Sequence, residues 1–127
     1  MAGGGFAAAA ALLLAFAGAP SAMSDSGWRP ERPMIDALET VVVMPRGARP
    51  LAEYRRQYGG TLEAGRRVIW GVFHVPGISG LPKDELPVAI FDHEPPPMIQ
   101  DGGCSVVTLK FDVSAQRILW ILCNGVA

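Results

Sequence analysis

Three side chains capable of acid–base or metal chemistry stand side by side near residue 92. They are Asp92, His93 and Glu94, and the second histidine of the chain is His74. Imidazole and carboxylate groups bind zinc and act as general acids and bases. Neighbouring residues on a strand point to opposite faces of a sheet, so these groups converge only if the backbone turns. The pattern therefore favours a charged strand end facing water over a metal site, and we expect neither a metal nor a cofactor.

Cysteine chemistry is restricted to Cys104 and Cys123, the only two cysteines of the chain. A disulfide between them would close a loop of roughly 20 residues, which the chain-entropy model values at about 3 kcal/mol. Two free, buried cysteines are the alternative. A paired cysteine is not a nucleophile, and no serine lies in a Gly-x-Ser-x-Gly motif. The sequence therefore predicts a stabilising disulfide and no catalytic residue.

Arginine is concentrated between Arg46 and Arg67, whereas the chain beyond Asp84 is acidic. Arg55, Arg56, Arg66 and Arg67 are the candidates for an anion-binding surface, because guanidinium groups make planar, bidentate contacts with carboxylates and phosphates. Such a surface would suit an envelope protein or an anionic polymer. The alternative, which is the more common arrangement, is a solvated helix face that forms salt bridges to the acidic half.

The N-terminal segment has the composition of an export signal. Residues 1–24 contain no charged side chain, and an apolar run from Phe6 to Ala17 is followed by small residues. That run is shorter than the roughly 20 residues that span a bilayer, but it matches a secretory signal peptide. We expect cleavage after Ser24, with Ala19 as the competing site, and hence no transmembrane anchor. An uncleaved N-terminal helix is the alternative, because no Lys or Arg precedes the run.

Export determines which functions are plausible. An oxidising periplasmic or extracellular compartment favours the disulfide and disfavours nucleic acid as a partner. The formal net charge of −1 also provides no field that would attract nucleic acid. After cleavage, we expect residues 25–39 to form a flexible linker, because they contain Gly27, Pro30 and Pro33. Residues 40–127 would then form a single small domain.

Hydrophobic patterning predicts the elements of this domain. Residues 40–44 are β-branched and predict a first strand. A helix is expected from Pro50, through Tyr54 and Tyr58, to a stop at Gly59. Residues 66–75 predict a central strand that is apolar on both sides, and residues 88–92 predict a shorter one.

Residues 102–124 predict a hairpin, because both of its runs alternate with a period of two. Placing the two cysteines opposite each other pairs Val107 with Trp120 and Leu109 with Ile118 on one apolar face. The turn lacks an Asn-Gly or Asp-Gly signal, so a looser turn or a bulge is expected.

These elements indicate an α+β fold, with one helix packed on an antiparallel sheet of four to five strands that ends in a disulfide-stapled β-hairpin. Two functions are compatible with such a domain. The first is a non-catalytic binding or interaction module of the bacterial cell envelope. The second is a small metal-dependent or hydrolytic enzyme centred on His93.

Overall fold

A computed structural model describes residues 27–77 and 86–125, which form one six-stranded sheet and one helix. The predicted signal peptide, residues 1–24, lies outside the described residues. No helix in the described part of the chain is long and apolar enough to cross a bilayer. In chain order the elements are β1 (Gly27–Trp28), α1 (Arg32–Val41), a single 3-10 turn (Leu51–Glu53), β2 (Arg55–Glu63), β3 (Arg66–His74), β4 (Val88–Ile90), β5 (Gly103–Asp112) and β6 (Arg117–Asn124).

The predicted central strand is confirmed as β3, which pairs antiparallel with β2 on one side and β5 on the other. A two-residue turn at Ala64 and Gly65 joins β2 to β3, and both residues have positive φ angles of 52° and 76°. Such angles match the right-handed twist of the strands that they connect. Ile69 and Phe73 lie on one side of β3 and Val72 on the other, and all three are fully buried. Burial of both sides explains why β3 is apolar throughout.

The sheet has more strands than expected, and one pair is parallel. β1 and β4 both pair with the outer edge of β2, β1 antiparallel and β4 parallel. His74 at the end of β3 lies opposite Arg55, and Val88 at the start of β4 lies opposite Arg56. The connection from β3 to β4 therefore begins and ends at the same end of the sheet. β4 therefore starts at the same end as β2 and runs in the same direction.

The segment expected to be a flexible linker instead contains β1 and most of α1. Pro33 occupies the first turn of the helix, where its missing N–H is no loss. Ile35 and Leu38 are fully buried against the sheet. The expected strand at residues 40–44 is also wrong, because α1 continues to Val41. Residues 27–39 therefore belong to the folded unit.

The helix predicted from Pro50 to Tyr58 is a 3-10 turn followed by a strand. Tyr58 follows Tyr54 by four positions in the sequence. That spacing places two side chains on one face of a helix, and it also places them on one face of a strand. Both rings are buried beside Phe73, with centroids 6.4 and 5.7 Å away. Gly59, read as a helix stop, lies within β2, where a Cβ would collide with the backbone of Glu94 and Pro95. The prediction that both tyrosines are buried is therefore confirmed, whereas the prediction that a helix carries them is wrong.

The C-terminal hairpin and its Cys104–Cys123 disulfide are confirmed. The predicted register is wrong, because Leu109 lies opposite Ile121, and Lys110 lies opposite Trp120. An irregularity between Lys110 and Phe111 leaves Leu119 as an additional residue in β6. A bulge of this kind reverses the alternation on one side of it. Trp120 was predicted to face the core, and it lies on the opposite side of the sheet instead.

The two sides of the sheet are covered differently. Helix α1 and the residues that follow it cover one side and enclose the main apolar core. On the other side, residues 94–102 pass close to the sheet, and we call them the proline strap. The strap approaches Gly59 at its start, and Ile99 accepts a hydrogen bond from the side chain of Asn124 near its end. Beyond the strap, this side carries two half-buried tryptophans.

Candidate functional site

The disulfide belongs to the end of the hairpin that is anchored to the rest of the domain. The hydroxyl of Tyr54 donates a hydrogen bond to the backbone oxygen of Cys104, at 2.6 Å. The Sγ atom of Cys104 also lies 3.7 Å from the backbone oxygen of Arg46. The bond connects the two strands of the hairpin where their ladder is irregular, between Gly103 and Val107. Its position indicates a role in stability.

The four arginines proposed as an anion-binding surface do not lie together. Side chains alternate along β2 and β3, so Arg55 and Arg66 lie on the strap side, whereas Arg56 and Arg67 lie on the helix side. Arg55 and Arg66 stand at opposite ends of the sheet, roughly 26 Å apart by strand geometry. This arrangement does not form one continuous cationic surface.

Two of the arginines are also engaged in the core-side structure. The Nε atom of Arg56 lies 2.9 Å from Glu39, and the hydroxyl of Tyr58 donates to the same carboxylate at 2.7 Å. Burial, together with the adjacent charge of Glu39, raises the pKa of Tyr58 above its usual value. Arg67 stacks over the ring of Trp28 at 4.1 Å. These contacts attach α1 and β1 to the sheet.

The candidate metal ligands are separated as well. His74 is fully buried in β3, whereas Asp92, His93 and Glu94 are exposed after β4. The Nδ1 atom of His93 lies 2.5 Å from Asp92. Within residues 27–77 and 86–125, no group of three or more His, Cys, Asp or Glu side chains is placed to hold a metal ion. Of the three exposed candidates, His93 and Asp92 are in contact with each other.

A site that the sequence interpretation missed lies on the strap side of the sheet, next to β6. The rings of Trp70 and Trp120 meet edge to face, with centroids 5.6 Å apart. The Nζ atom of Lys110 lies 4.7 Å from the centre of the Trp70 ring. Trp70, Lys110 and Trp120 occupy neighbouring positions on β3, β5 and β6. We call these three residues, together with Glu63 and Arg117, the tryptophan surface.

Hydrogen bonds hold the inner tryptophan in place. The indole N–H of Trp70 lies 3.1 Å from both Thr61 Oγ1 and Glu63 Oε2. The other oxygen of Glu63 accepts a hydrogen bond from Lys110 at 2.6 Å. The bond from Lys110 is the main cause that lowers the pKa of Glu63, and the bonds from Trp70 and Thr61 add to it. Glu63 is therefore a carboxylate that orients both a cation and an aromatic ring.

Positive charge is in excess at the turn end of this surface. Arg66 forms an ion pair with Asp112, and Arg117 lies opposite the same aspartate in the strand ladder. Asp112 is buried, whereas 57% of the Arg66 side chain is exposed. With the Lys110–Glu63 pair counted, three cationic groups accompany two carboxylates. This end of the tryptophan surface is suited to an anionic group.

Only part of this site could be predicted from the sequence. Alternation placed Trp70 on a defined side of the central strand, but the bulge at Leu119 concealed that Trp120 joins it. Without the bulge, Trp120 would have pointed into the core. Comparison of the chain with protein-family models, with curated proteins and with solved structures found no match.

Proposed function

We propose that the protein is a non-catalytic binding module of the bacterial cell envelope, and that it binds an acidic glycan at the tryptophan surface. The observation that carries the proposal is the pair of half-buried indoles beside an excess of arginine, on the side of the sheet away from the helix. Trp120 is the outer ring of the pair, and Trp70 is its positioning residue.

The chemistry of the surface matches that of a charged sugar. The face of an indole is electron-rich, so it attracts the positively polarised C–H groups on one side of a sugar ring. A guanidinium group binds a carboxylate through two parallel hydrogen bonds. Arg117 and Trp120 are close on β6, with the bulged Leu119 between them. One sugar unit with a carboxylate substituent would therefore stack on Trp120 and bind Arg117 through its carboxylate.

The disulfide supports the compartment assumed in this proposal. Disulfides persist in the periplasm and outside the cell, where the environment is oxidising, and are rare in the cytosol. The signal peptide inferred from residues 1–24 leads to the same compartment. An acidic polymer of the envelope is a ligand that an exported domain meets there.

The alternative function, an enzyme centred on His93, has one geometric feature in its favour. That feature is the contact between His93 and Asp92, which is the arrangement that orients an imidazole as a base. Both side chains are largely exposed, at 66% and 68%. Exposure leaves the imidazole in water, where a general base gains little from its surroundings.

Calorimetric titration with oligogalacturonate tests the proposal. We expect binding by the protein recovered from export of the full-length gene, with a Kd between about 10 µM and 1 mM. The methyl-esterified oligosaccharide has the same rings without the charges, and we expect it to bind at least about tenfold more weakly, a difference of roughly 1.4 kcal/mol. Trp120→Ala should abolish binding of both forms.

Matched variants separate the contributions. Arg117→Gln should weaken binding of the acidic form only, whereas Arg49→Gln, also an exposed arginine, should change neither. His93→Ala should bind as the wild type does. Undiminished binding by Trp120→Ala, or no binding of either oligosaccharide by the wild type, contradicts the proposal. A metal ion that copurifies with the wild type and is lost in His93→Ala would favour the enzyme.

A further inference from the structure

β6 is a terminal strand of the described sheet. Within residues 27–77 and 86–125, β6 pairs with β5 on one side, and no strand pairs with its other side. An edge of this kind presents a row of unpaired backbone N–H and C=O groups, which accept a strand from another chain. The contact surface of this protein therefore includes backbone groups as well as side chains.

The side chains of β6 do little to prevent such pairing. Natural edge strands are protected by charges, prolines or bulges. From Ile118 to Cys123 the strand has no charged residue and no proline, and its one protective feature is the bulge at Leu119. Leu119 and Leu122 are 40% and 47% exposed. Beyond the bulge, residues 120–124 carry no charge, and their ladder to β5 is regular from Trp120 to Cys123.

We propose that a second copy of this chain pairs antiparallel with residues 120–124, with the two-fold axis at Leu122. A two-fold axis perpendicular to the sheet keeps each side of one copy continuous with the same side of the other. Leu122 then lies opposite its equivalent, Ile121 lies opposite Cys123, and Trp120 lies opposite Asn124. This register covers the regular stretch from Trp120 to Cys123, adds Asn124 and excludes the bulge at Leu119.

The charge pattern favours a second copy as the occupant. Arg117, the one charged residue of β6, lies outside the paired region, and the two-fold axis places the two arginines at opposite ends of the contact. The net charge of −1 leaves little repulsion between copies. Each apolar residue of the pairing region finds an apolar or uncharged residue opposite. The strand is therefore complementary to itself.

The dimer would also extend the tryptophan surface. Both copies present Trp120 on the same side of the joined sheet, and strand geometry separates the two rings by about 13 Å along the strands. A glycan chain is long enough to reach both. This consequence for binding rests on the proposed function, whereas the dimer itself does not.

Sedimentation equilibrium on the exported protein tests the dimer, over concentrations from about 1 µM to about 1 mM, which cover moderate to weak affinities. We expect a monomer–dimer equilibrium for the wild type. Leu122→Lys places two ammonium groups opposite each other and should weaken the dimer at least tenfold. Leu62→Lys, at a leucine that is 37% exposed on β2, should leave the equilibrium unchanged.

Hydrogen exchange of the wild type provides a measurement that needs no variant. Amide exchange at residues 120–124 should slow as the concentration rises, and exchange elsewhere on the surface should not. A monomer at every concentration, equal weakening by the two lysine variants, or slowing only in the presence of a different protein would overturn the proposal. A dimer that does not bind oligogalacturonate contradicts the proposed function alone, and a monomer that binds it contradicts the dimer alone.

Discussion

At the scale of single residues, Glu63 connects the polar and aromatic parts of the tryptophan surface. Its carboxylate accepts hydrogen bonds from Lys110 and Trp70, and these contacts favour the ionised form. The pKa of Glu63 is therefore lower in the folded protein than in the unfolded chain. Because the folded state favours the charged form, the stabilisation is present above the unfolded pKa of about 4.3 and is lost as pH falls through and below that value.

We accordingly expect Glu63→Gln to reduce the acid sensitivity of the protein. Between about pH 6 and pH 3, the melting temperature of the wild type should fall further than that of the variant. The fluorescence of the wild type should change over the same interval, because Trp70 loses an ionised partner. Glu94→Gln, at an exposed glutamate of the proline strap, is the matched control. Identical acid responses of wild type and Glu63→Gln would show that the ion pair contributes nothing.

At the scale of elements, the hairpin shows how one residue changes the assignment of a whole strand. Alternation correctly predicted the two strands, and the presence of two cysteines correctly predicted the disulfide between them. The insertion of Leu119 shifted the side chains of β6 relative to β5, which a regular pattern cannot reveal. The outcome is a strand whose Ile118 and Ile121 face the core, whereas Trp120 faces outward.

The disulfide is expected to stabilise the hairpin, and cysteine variants test this expectation. Cys104→Ser and Cys123→Ser should each cost about 3 kcal/mol of unfolding free energy, because each removes the same constraint on the unfolded chain. For a domain of this size, the melting temperature should fall by roughly 12 to 24 °C. The double variant should lose no more than either single variant. Clearly unequal single effects, or a double variant that loses twice as much, would argue against a shared bond.

At the scale of the whole molecule, the described part of the fold reaches close to the expected cleavage site. β1 starts at Gly27, three residues after Ser24, and pairs with β2 there. The backbone of His93 and Glu94 leaves no space for a side chain at Gly27. The chain is therefore fixed to the sheet almost from the start of the expected mature protein.

Intact mass spectrometry of protein recovered from the periplasm tests this arrangement. We expect a mass that begins at Asp25 and that gains two hydrogens on reduction. Cleavage after Ala19 would leave the fold unchanged but would add a short N-terminal extension. A full-length cytosolic mass with two free thiols would remove the basis for export and would make both cysteines available for reaction.

The sequence by itself determined those features that depend on local composition and spacing. The central strand, the hairpin and the disulfide follow from period-two alternation and from the presence of two cysteines in the whole chain. The burial of Tyr54 and Tyr58 was equally predictable, because four residues of separation place them on one face of either a helix or a strand. The same ambiguity prevented the backbone of residues 50–58 from being predicted.

Only the tertiary structure decided which side chains lie together on one surface. Gly59 lies in a strand because β2 pairs with β3, and the proline strap passes so close to it that no side chain would fit. The four arginines are separated because alternation distributes them over two sides and two ends of the sheet. Trp70 and Trp120 are distant in sequence, and they meet because β5 lies between their strands and a bulge reverses the side of Trp120. Such contacts depend on strand order and register, which are set by packing of the complete chain rather than by any one segment.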